Sequence, residues 1–193
     1  MRLAILCLLA LATLPTPARA QIPVFETTPA DSSIKFYVKS SVALVGNFQK
    51  WNATLTFSSA DVSTAVMDIK IQAATVSTGS GVKDNKLKSK DFFNVDQDPL
   101  ITFHSTKIVQ TSPVDFDVIG TFTLRGVTKP QTLKLGITGK GTGKGSIKGQ
   151  MAFDRKDYGV DGSIPFVKIA DRVEVNVDLN VVQVSGPRLV YKQ

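Results

Sequence analysis

The fold is decided by the stretch Lys83–Thr106, whose sequence is KDNKLKSKDFFNVDQDPLITFHST. The residues from about Leu87 to Phe92 have a helix-like spacing of polar and apolar residues, and Asp84 is a candidate cap for the start of that helix. The pair Asp98-Pro99 then interrupts the pattern, because proline disfavours helical backbone in the residue before it. The alternation from Ile101 onward is typical of a half-buried strand. We therefore predict a short helix in a long loop, followed by a strand.

Two adjacent aromatic residues, Phe92 and Phe93, lie at the end of this predicted helix. One interpretation is that both rings cap the hydrophobic core. The other is that they guard the mouth of a cavity, since functional residues are often carried by loops on a rigid scaffold. The pattern of residues leaves both interpretations open.

Most of the remaining chain alternates between apolar and polar residues with a period of two, which predicts further strands with one buried face. Seven such segments occur, at 32–39, 53–57, 66–71, 117–124, 133–137, 147–153 and 173–181. With the strand at 101–106 they make eight, and no long helical period accompanies them. We therefore predict an all-β fold, an antiparallel eight-stranded β-barrel with a short helical segment. A two-sheet sandwich remains an alternative, and the pattern does not distinguish a packed barrel from a hollow one.

The first twenty residues, MRLAILCLLALATLPTPARA, have the features of a secretory signal peptide. Arg2 precedes a short apolar run, and Ala18-Arg19-Ala20 forms a cleavage signal, so cleavage is predicted after Ala20. The expected location is the periplasm or the extracellular space. Residues 21–193 are then predicted to form a single domain. Since Cys7 lies within the signal, the processed chain is expected to hold no disulfide and no cysteine-based site.

The composition argues against catalysis and against nucleic-acid binding. The net charge is +7 with a single histidine, His104, and no G-x-S-x-G motif is present. One histidine without cysteine cannot supply a structural zinc site, so no metal and no cofactor are expected. His104 falls on the polar face of a strand, where an exposed or hydrogen-bonded side chain is expected. No nucleic-acid motif accompanies the positive charge, which favours either solubility or attraction to a membrane surface.

Five blocks, in this order and spacing, resemble the YceI-like family of secreted, lipocalin-like proteins associated with polyisoprenoid binding. They are DSSIKFYVK with VGNFQKWNATLTF, KDNKLKSKDFFNVDQDPLITFHST, DVIGTFTLRGVTKPQTL, DRKDYG and DRVEVNVDLNVV. The resemblance covers nearly all of residues 21–193. It implies an antiparallel lipocalin-like barrel around an elongated apolar channel. Ser40 and Lys86 stand where family members often have histidine, so a histidine-based head-group site is not expected.

The resemblance implies a non-catalytic binding protein that holds an isoprenoid quinone, a polyprenyl phosphate or a similar long-chain lipid. The candidate residues for lining the lipid tail are Phe36, Phe48, Trp51, Phe57, Phe92, Phe93, Phe103, Phe122 and Phe153. The candidates for contacting a head group are Lys39, Lys83, Lys86, Arg155 and Tyr158. The alternative is a stress-related interaction protein with a solid barrel. The oligomeric state stays open, because an exposed strand edge or apolar rim could pair two copies in a homodimer.

Overall fold

Alternating apolar residues form eleven antiparallel strands in the computed structural model, which describes residues 21–41, 44–164 and 166–191. The predicted signal peptide, residues 1–20, lies outside the described residues. The strands are β1 Val24–Thr27, β2 Ser33–Ser40, β3 Leu44–Phe48, β4 Trp51–Thr56, β5 Val66–Gln72, β6 Val76–Ser77, β7 Leu100–Gln110, β8 Asp115–Leu124, β9 Val127–Thr138, β10 Lys144–Asp154 and β11 Ile169–Ser185. One α-helix, α1 Gly81–Lys88, is accompanied by 3-10 turns at Pro29–Asp31, Val62–Thr64, Ala73–Thr75 and Arg155–Tyr158.

The strands join in one sheet in the order β4-β5-β7-β8-β9-β10-β11-β2-β3-β6, and β1 pairs with the far half of β11. The sheet curls into a half-barrel around one apolar interior, to which nearly every strand contributes its inward face. The strand β11 has 17 residues and is about 55 Å long, at about 3.3 Å per residue. Ile169 of β11 pairs with Ser40 at one end, and Ser185 pairs with Val24 at the other.

The predicted all-β, antiparallel, lipocalin-like architecture is confirmed, but the predicted number of eight strands is wrong. The three additional strands are β1, β3 and β6, which have four, five and two residues. Strands this short show too few alternations to be recognised from a period of two. In β3, Gly46 pairs with Phe36 and Asn47 with Lys35 of β2.

The predicted helical segment in the long loop is also confirmed, with different bounds. Ser80 is the N-cap of α1, and the helix ends at Lys88 before the two phenylalanines. Asp84 therefore lies inside the helix. Its Oδ1 accepts hydrogen bonds from the backbone N and the Oγ1 of Thr78, both at 2.7 Å. The carboxylate thus ties the first turn of α1 to the chain that leaves β6.

A buried serine marks an irregularity in β7. The register of β7 against β8 shifts between Ser105 and Lys107. Ser105 is 1% exposed, and its Oγ accepts a hydrogen bond of 2.8 Å from the backbone N–H of Met67 in β5. A hydroxyl is therefore placed inside the core because it satisfies a backbone donor on the neighbouring strand.

We expect Ser105→Ala to lower the free energy of unfolding by about 1–3 kcal/mol, because it leaves the N–H of Met67 buried without this acceptor. Urea denaturation followed by circular dichroism measures the change. Ser163→Ala, the same substitution at an exposed position, is the control and should stay within about 0.5 kcal/mol of the unmodified protein. Equal stability of the two variants would contradict this account of Ser105.

Candidate functional site

The interior of the half-barrel contains apolar cavities rather than uniform packing. One cavity, of about 60 Å³, lies at the end where α1 packs, and we call it the helix-end cavity. It is lined by Ile34, Phe36, Val38, Leu44, Phe48, Ile71, Leu87, Phe92, Phe93, Ile101, Phe122, Leu124, Phe153, Arg155, Val160, Ile169, Val173 and Val175. Apart from Arg155, every lining side chain is apolar. This surface suits an apolar ligand, because it offers almost no hydrogen-bonding group.

Three of the predicted tail-lining rings form one cluster beside this cavity. The ring centroids of Phe36 and Phe48 are 5.6 Å apart, and that of Phe93 lies 6.0 Å from Phe36 and 5.9 Å from Phe48. All three side chains are buried. The turn after α1 therefore brings Phe93 onto the inward faces of β2 and β3, a contact that joins residues far apart in sequence.

Phe92 lines the same cavity and is packed even more tightly. Its side chain is 2% exposed, and a Cβ atom placed on Gly162 would lie only 2.4 Å from its ring. The Nζ of Lys86 lies 5.5 Å from the ring centroid and also pairs with Asp91 at 3.1 Å. Phe92 and Phe93 are thus both part of the core and both at the boundary of a cavity, so the two interpretations of this pair do not exclude each other.

A second ring cluster lies deeper in the interior. The ring centroids of Phe122, Phe153 and Tyr158 are 5.0 to 5.4 Å apart. Tyr158 is fully buried, and its Oη accepts a hydrogen bond of 3.1 Å from Nε2 of Gln131. Burial raises the pKa of Tyr158, so this phenol is neutral at physiological pH. The structure places Tyr158 among core rings, and its predicted contact with a head group stays a prediction.

Arg155 is held by the protein's own oxygen atoms. Its Nη1 donates to the carbonyl oxygens of Val160 and Gly162 at 2.6 and 3.1 Å, and its Nε donates to that of Ala170 at 3.2 Å. Its Nη2 pairs with Oδ1 of Asp171 at 3.1 Å. The guanidinium therefore fixes the connection between β10 and β11, while its predicted role toward a head group stays a prediction.

The same connection is held by a second cation. Asp171 also accepts from Nζ of Lys156 at 2.8 Å. This hydrogen bond from Lys156, aided by the charge of Arg155, lowers the pKa of Asp171. The carboxylate consequently stays ionised at physiological pH, and both cations keep their partner.

The three predicted lysines lie near the helix-end cavity but outside it. Lys39 is exposed on the outer face of β2, next to the cavity-lining Val38. Lys83 and Lys86 are half-buried on α1, whose Leu87 lines the cavity. The structure thus places these amino groups around one end of the apolar interior.

Phe103 lines a smaller cavity of about 30 Å³ in the middle of the half-barrel. This middle cavity shares Ile34, Ile71, Phe122 and Val175 with the helix-end cavity, so the two adjoin. Trp51, the first residue of β4, is partly buried against the core and lines neither of these two cavities.

Another apolar cavity, of about 90 Å³, lies at the opposite end of the interior and is lined in part by Phe57. Three other aromatic residues that line this cavity, Phe25, Phe116 and Tyr191, were not predicted from the sequence. The ring centroids of Phe25 and Phe57 are 5.7 Å apart, and those of Phe116 and Tyr191 are 6.3 Å apart. Phe116 could have been found by extending the alternation of β8 by one step. Tyr191 could not, because it lies beyond the last strand in a segment without a periodic pattern.

His104, the single histidine, lies on the outer surface and lines none of the three cavities. Its Nδ1 is 2.7 Å from Oδ1 of Asp68 on the adjacent β5, which confirms the prediction of an exposed or hydrogen-bonded residue. Within the described ranges, no group of three or more His, Cys, Asp or Glu side chains is arranged to hold a metal ion. Among the same residues, no helix is long and apolar enough to cross a membrane.

The sequence matches one family model, and the structure superposes on solved structures with the same fold. The sequence model of the YceI-like domain matches residues 25–181. A UPF0312 protein of Shewanella denitrificans is 30% identical over 154 residues, which cover 76% of this chain and 81% of that protein. The crystal structure of BcnA from Burkholderia cenocepacia has a TM-score of 0.73 at 22% identity and covers 80% of this chain and 99% of its own.

A further solved structure is a polyisoprenoid binding domain from Saccharophagus degradans implicated in plant cell wall breakdown. It superposes with a TM-score of 0.64 at 14% identity, over 83% of this chain and 99% of that domain. At this identity the likeness concerns the fold alone. It shows that the curled sheet described above has been observed in a domain of that binding class.

Proposed function

The chain belongs to the YceI-like family, and from this premise we propose that it binds one long-chain amphiphilic lipid with the tail inside the half-barrel. The observation that carries the proposal is the helix-end cavity, whose lining is apolar except for Arg155 and which adjoins the middle cavity. The polyisoprenoid binding domain with the same fold supports an isoprenoid tail. The ligand classes we propose are an isoprenoid quinone and a polyprenyl phosphate.

The cavities are too small to hold a long lipid tail without movement of the surrounding side chains. A group the size of a water molecule needs about 10–15 Å³ of cavity volume. The helix-end and middle cavities, of about 60 and 30 Å³, therefore hold about six to nine such groups together, or one to two isoprene units of five carbons. A longer tail enters only if inward-facing rings move, and Phe36, Phe48 and Phe93 are the rings that occupy the space next to the cavity.

Selectivity is expected to come from tail shape and from the head group. A tail that leaves a bilayer exchanges one apolar environment for another, so most of the hydrophobic free energy cancels. A phosphate head group requires cationic donors and a quinone requires a hydrogen-bond donor. Lys39, Lys83 and Lys86 are the amino groups that lie around the helix end, and Lys86 would exchange its ion pair with Asp91 for contact with a head group. The signal peptide proposed for residues 1–20 would place this binding in the periplasm or outside the cell.

Native mass spectrometry of the protein purified from its host, with extraction and identification of released molecules, tests the proposal. We expect one isoprenoid or similar amphiphile per chain. Val175→Phe should lower its occupancy about tenfold or more, because Val175 borders both adjoining cavities and the added ring fills them. Val45→Phe makes the same change at an exposed position on β3 and should leave occupancy unchanged.

A ligand-free mass that stays unchanged after incubation with quinones and polyprenyl phosphates would contradict the proposal. That result would favour the alternative of a stress-related interaction protein with a solid barrel, which the small cavity volumes also permit. Equal occupancy in Val175→Phe and the unmodified protein would place the bound tail elsewhere.

A further inference from the structure

One phenylalanine lies entirely on the surface. The side chain of Phe166, in the connection between β10 and β11, is fully exposed, whereas most other phenylalanines of the described chain are buried. Its backbone has a φ of 63°, in the left-handed region that bulky residues rarely adopt. Such strained positions persist where the surrounding structure enforces them, and they cluster at binding sites and switch regions. An exposed ring held in this conformation points to a partner that covers it.

Phe166 lies at the rim of the helix-end cavity. Ile169, three residues further along the chain, lines that cavity. The connection is joined to the neighbouring rim segments by backbone hydrogen bonds: Ser41 N–H donates to the carbonyl oxygen of Lys168 at 3.0 Å, and Gly162 N–H donates to that of Asp91 at 2.9 Å. A second exposed apolar residue, Val82, is on α1, which borders the same cavity.

The rim around these apolar side chains is cationic. Residues 81–91, 161–164 and 166–168, together with Lys39, contain six lysines and three aspartates. Two of the aspartates are engaged within the protein, because Asp84 accepts from Thr78 and Asp91 pairs with Lys86. The exposed members of the set include Lys39, Lys90 and Lys168. Apolar side chains surrounded by lysines suit an anionic bilayer surface, where the rings enter the interface and the amino groups meet lipid phosphates.

We propose that this rim docks the protein onto anionic membranes, with Phe166 inserted into the interface and the lysines on the lipid head groups. The proposal rests on the proposed lipid-binding function and deepens it: docking places the helix-end cavity against the bilayer from which a tail would be taken. The cavity at the opposite end of β11 would then face the water.

Co-sedimentation with vesicles tests the docking. The protein, as its host processes it, is mixed with vesicles of equal parts phosphatidylcholine and phosphatidylglycerol, or of phosphatidylcholine alone, neither containing an isoprenoid lipid. We expect binding to the anionic vesicles that weakens with added salt, since surface charge attraction is screened. Phe166→Ser should lower the partition coefficient about tenfold, from the loss of one inserted ring. Val184→Ser, at an exposed apolar position near the other end of β11, should leave the partition coefficient unchanged.

A charge-matched pair of variants tests the role of the lysines. Lys88→Gln, Lys90→Gln and Lys168→Gln combined should lower binding to anionic vesicles about a hundredfold, at about fivefold per lysine near the surface. Lys107→Gln, Lys134→Gln and Lys144→Gln remove the same charge from exposed positions outside the rim and should retain most of the binding. Equal losses in both triple variants, or unchanged binding of Phe166→Ser, would overturn the proposal.

These outcomes are separable from those of the proposed function. Occupancy by an isoprenoid lipid is measured by native mass spectrometry without vesicles. Bound isoprenoid together with no vesicle binding would refute the docking and leave the lipid-binding function standing. Vesicle binding by a protein that holds no isoprenoid would support the docking and refute the lipid-binding function.

Discussion

Replacement of Arg155 by methionine is expected to lower the free energy of unfolding by about 3–5 kcal/mol. The side chain is 10% exposed, and the substitution removes the donors to the carbonyl oxygens of Val160, Gly162 and Ala170. A buried acceptor that loses its partner costs about 1–3 kcal/mol, so the loss of several accounts for this size. Asp171 keeps Lys156, which limits the cost on the carboxylate side.

Urea denaturation of Arg155→Met and of Arg172→Met measures the difference. Arg172 is the matched control, because its side chain is 69% exposed and pairs only with Glu174 at the surface. Its replacement should change stability by about 1 kcal/mol or less. If the two variants unfold at the same urea concentration, the guanidinium of Arg155 does not stabilise the connection between β10 and β11.

The replacement of Phe92 by alanine is expected to have a cost of similar size, about 3–5 kcal/mol, as for other large-to-small changes in a core. The ring is 2% exposed and packs against the backbone of Gly162, so its removal leaves a cavity that rigid neighbours cannot fill. The new space adjoins the helix-end cavity. We therefore expect Phe92→Ala also to enlarge the space available to an apolar ligand.

Phe166→Ala is the control, because it removes the same atoms from a fully exposed position. Its effect on unfolding should stay within about 0.5 kcal/mol. Thermal and urea denaturation of both variants give the stabilities, and an apolar fluorescent probe reports the enlarged cavity. A loss below about 1 kcal/mol for Phe92→Ala would show that its surroundings collapse around the missing ring.

Much of the fold could be predicted from the sequence because its longer strands alternate strictly. In β11 the inward Val173, Val177 and Leu179 are buried, as their period of two requires. The helix α1 was predicted from local spacing, although its start was not. Ser80 is the N-cap residue, whereas Asp84, the predicted cap, lies inside the helix and accepts hydrogen bonds from Thr78.

Less of the candidate site could be predicted. The rings of Phe36, Phe48 and Phe93 were each predicted to line a channel, but their grouping depends on how the turn after α1 meets β2 and β3. Arg155 was predicted to contact a lipid head group, because a phosphate requires cationic donors. The structure shows its nitrogen atoms bonded to the next connection, and this arrangement involves backbone oxygens that no residue pattern specifies.

Which residues face inward follows from the order of residues along each strand, because side-chain direction in a strand is a local property with a period of two. The same order determines an all-β fold with an apolar interior. The three-dimensional contacts set the rest: the interior holds separate cavities, Phe57 lies with Phe25 at the end opposite α1, and the ring of Phe166 stays in water. These features depend on contacts between distant strands and connections, and the free energy of such contacts is set by shape and distance rather than by local pattern.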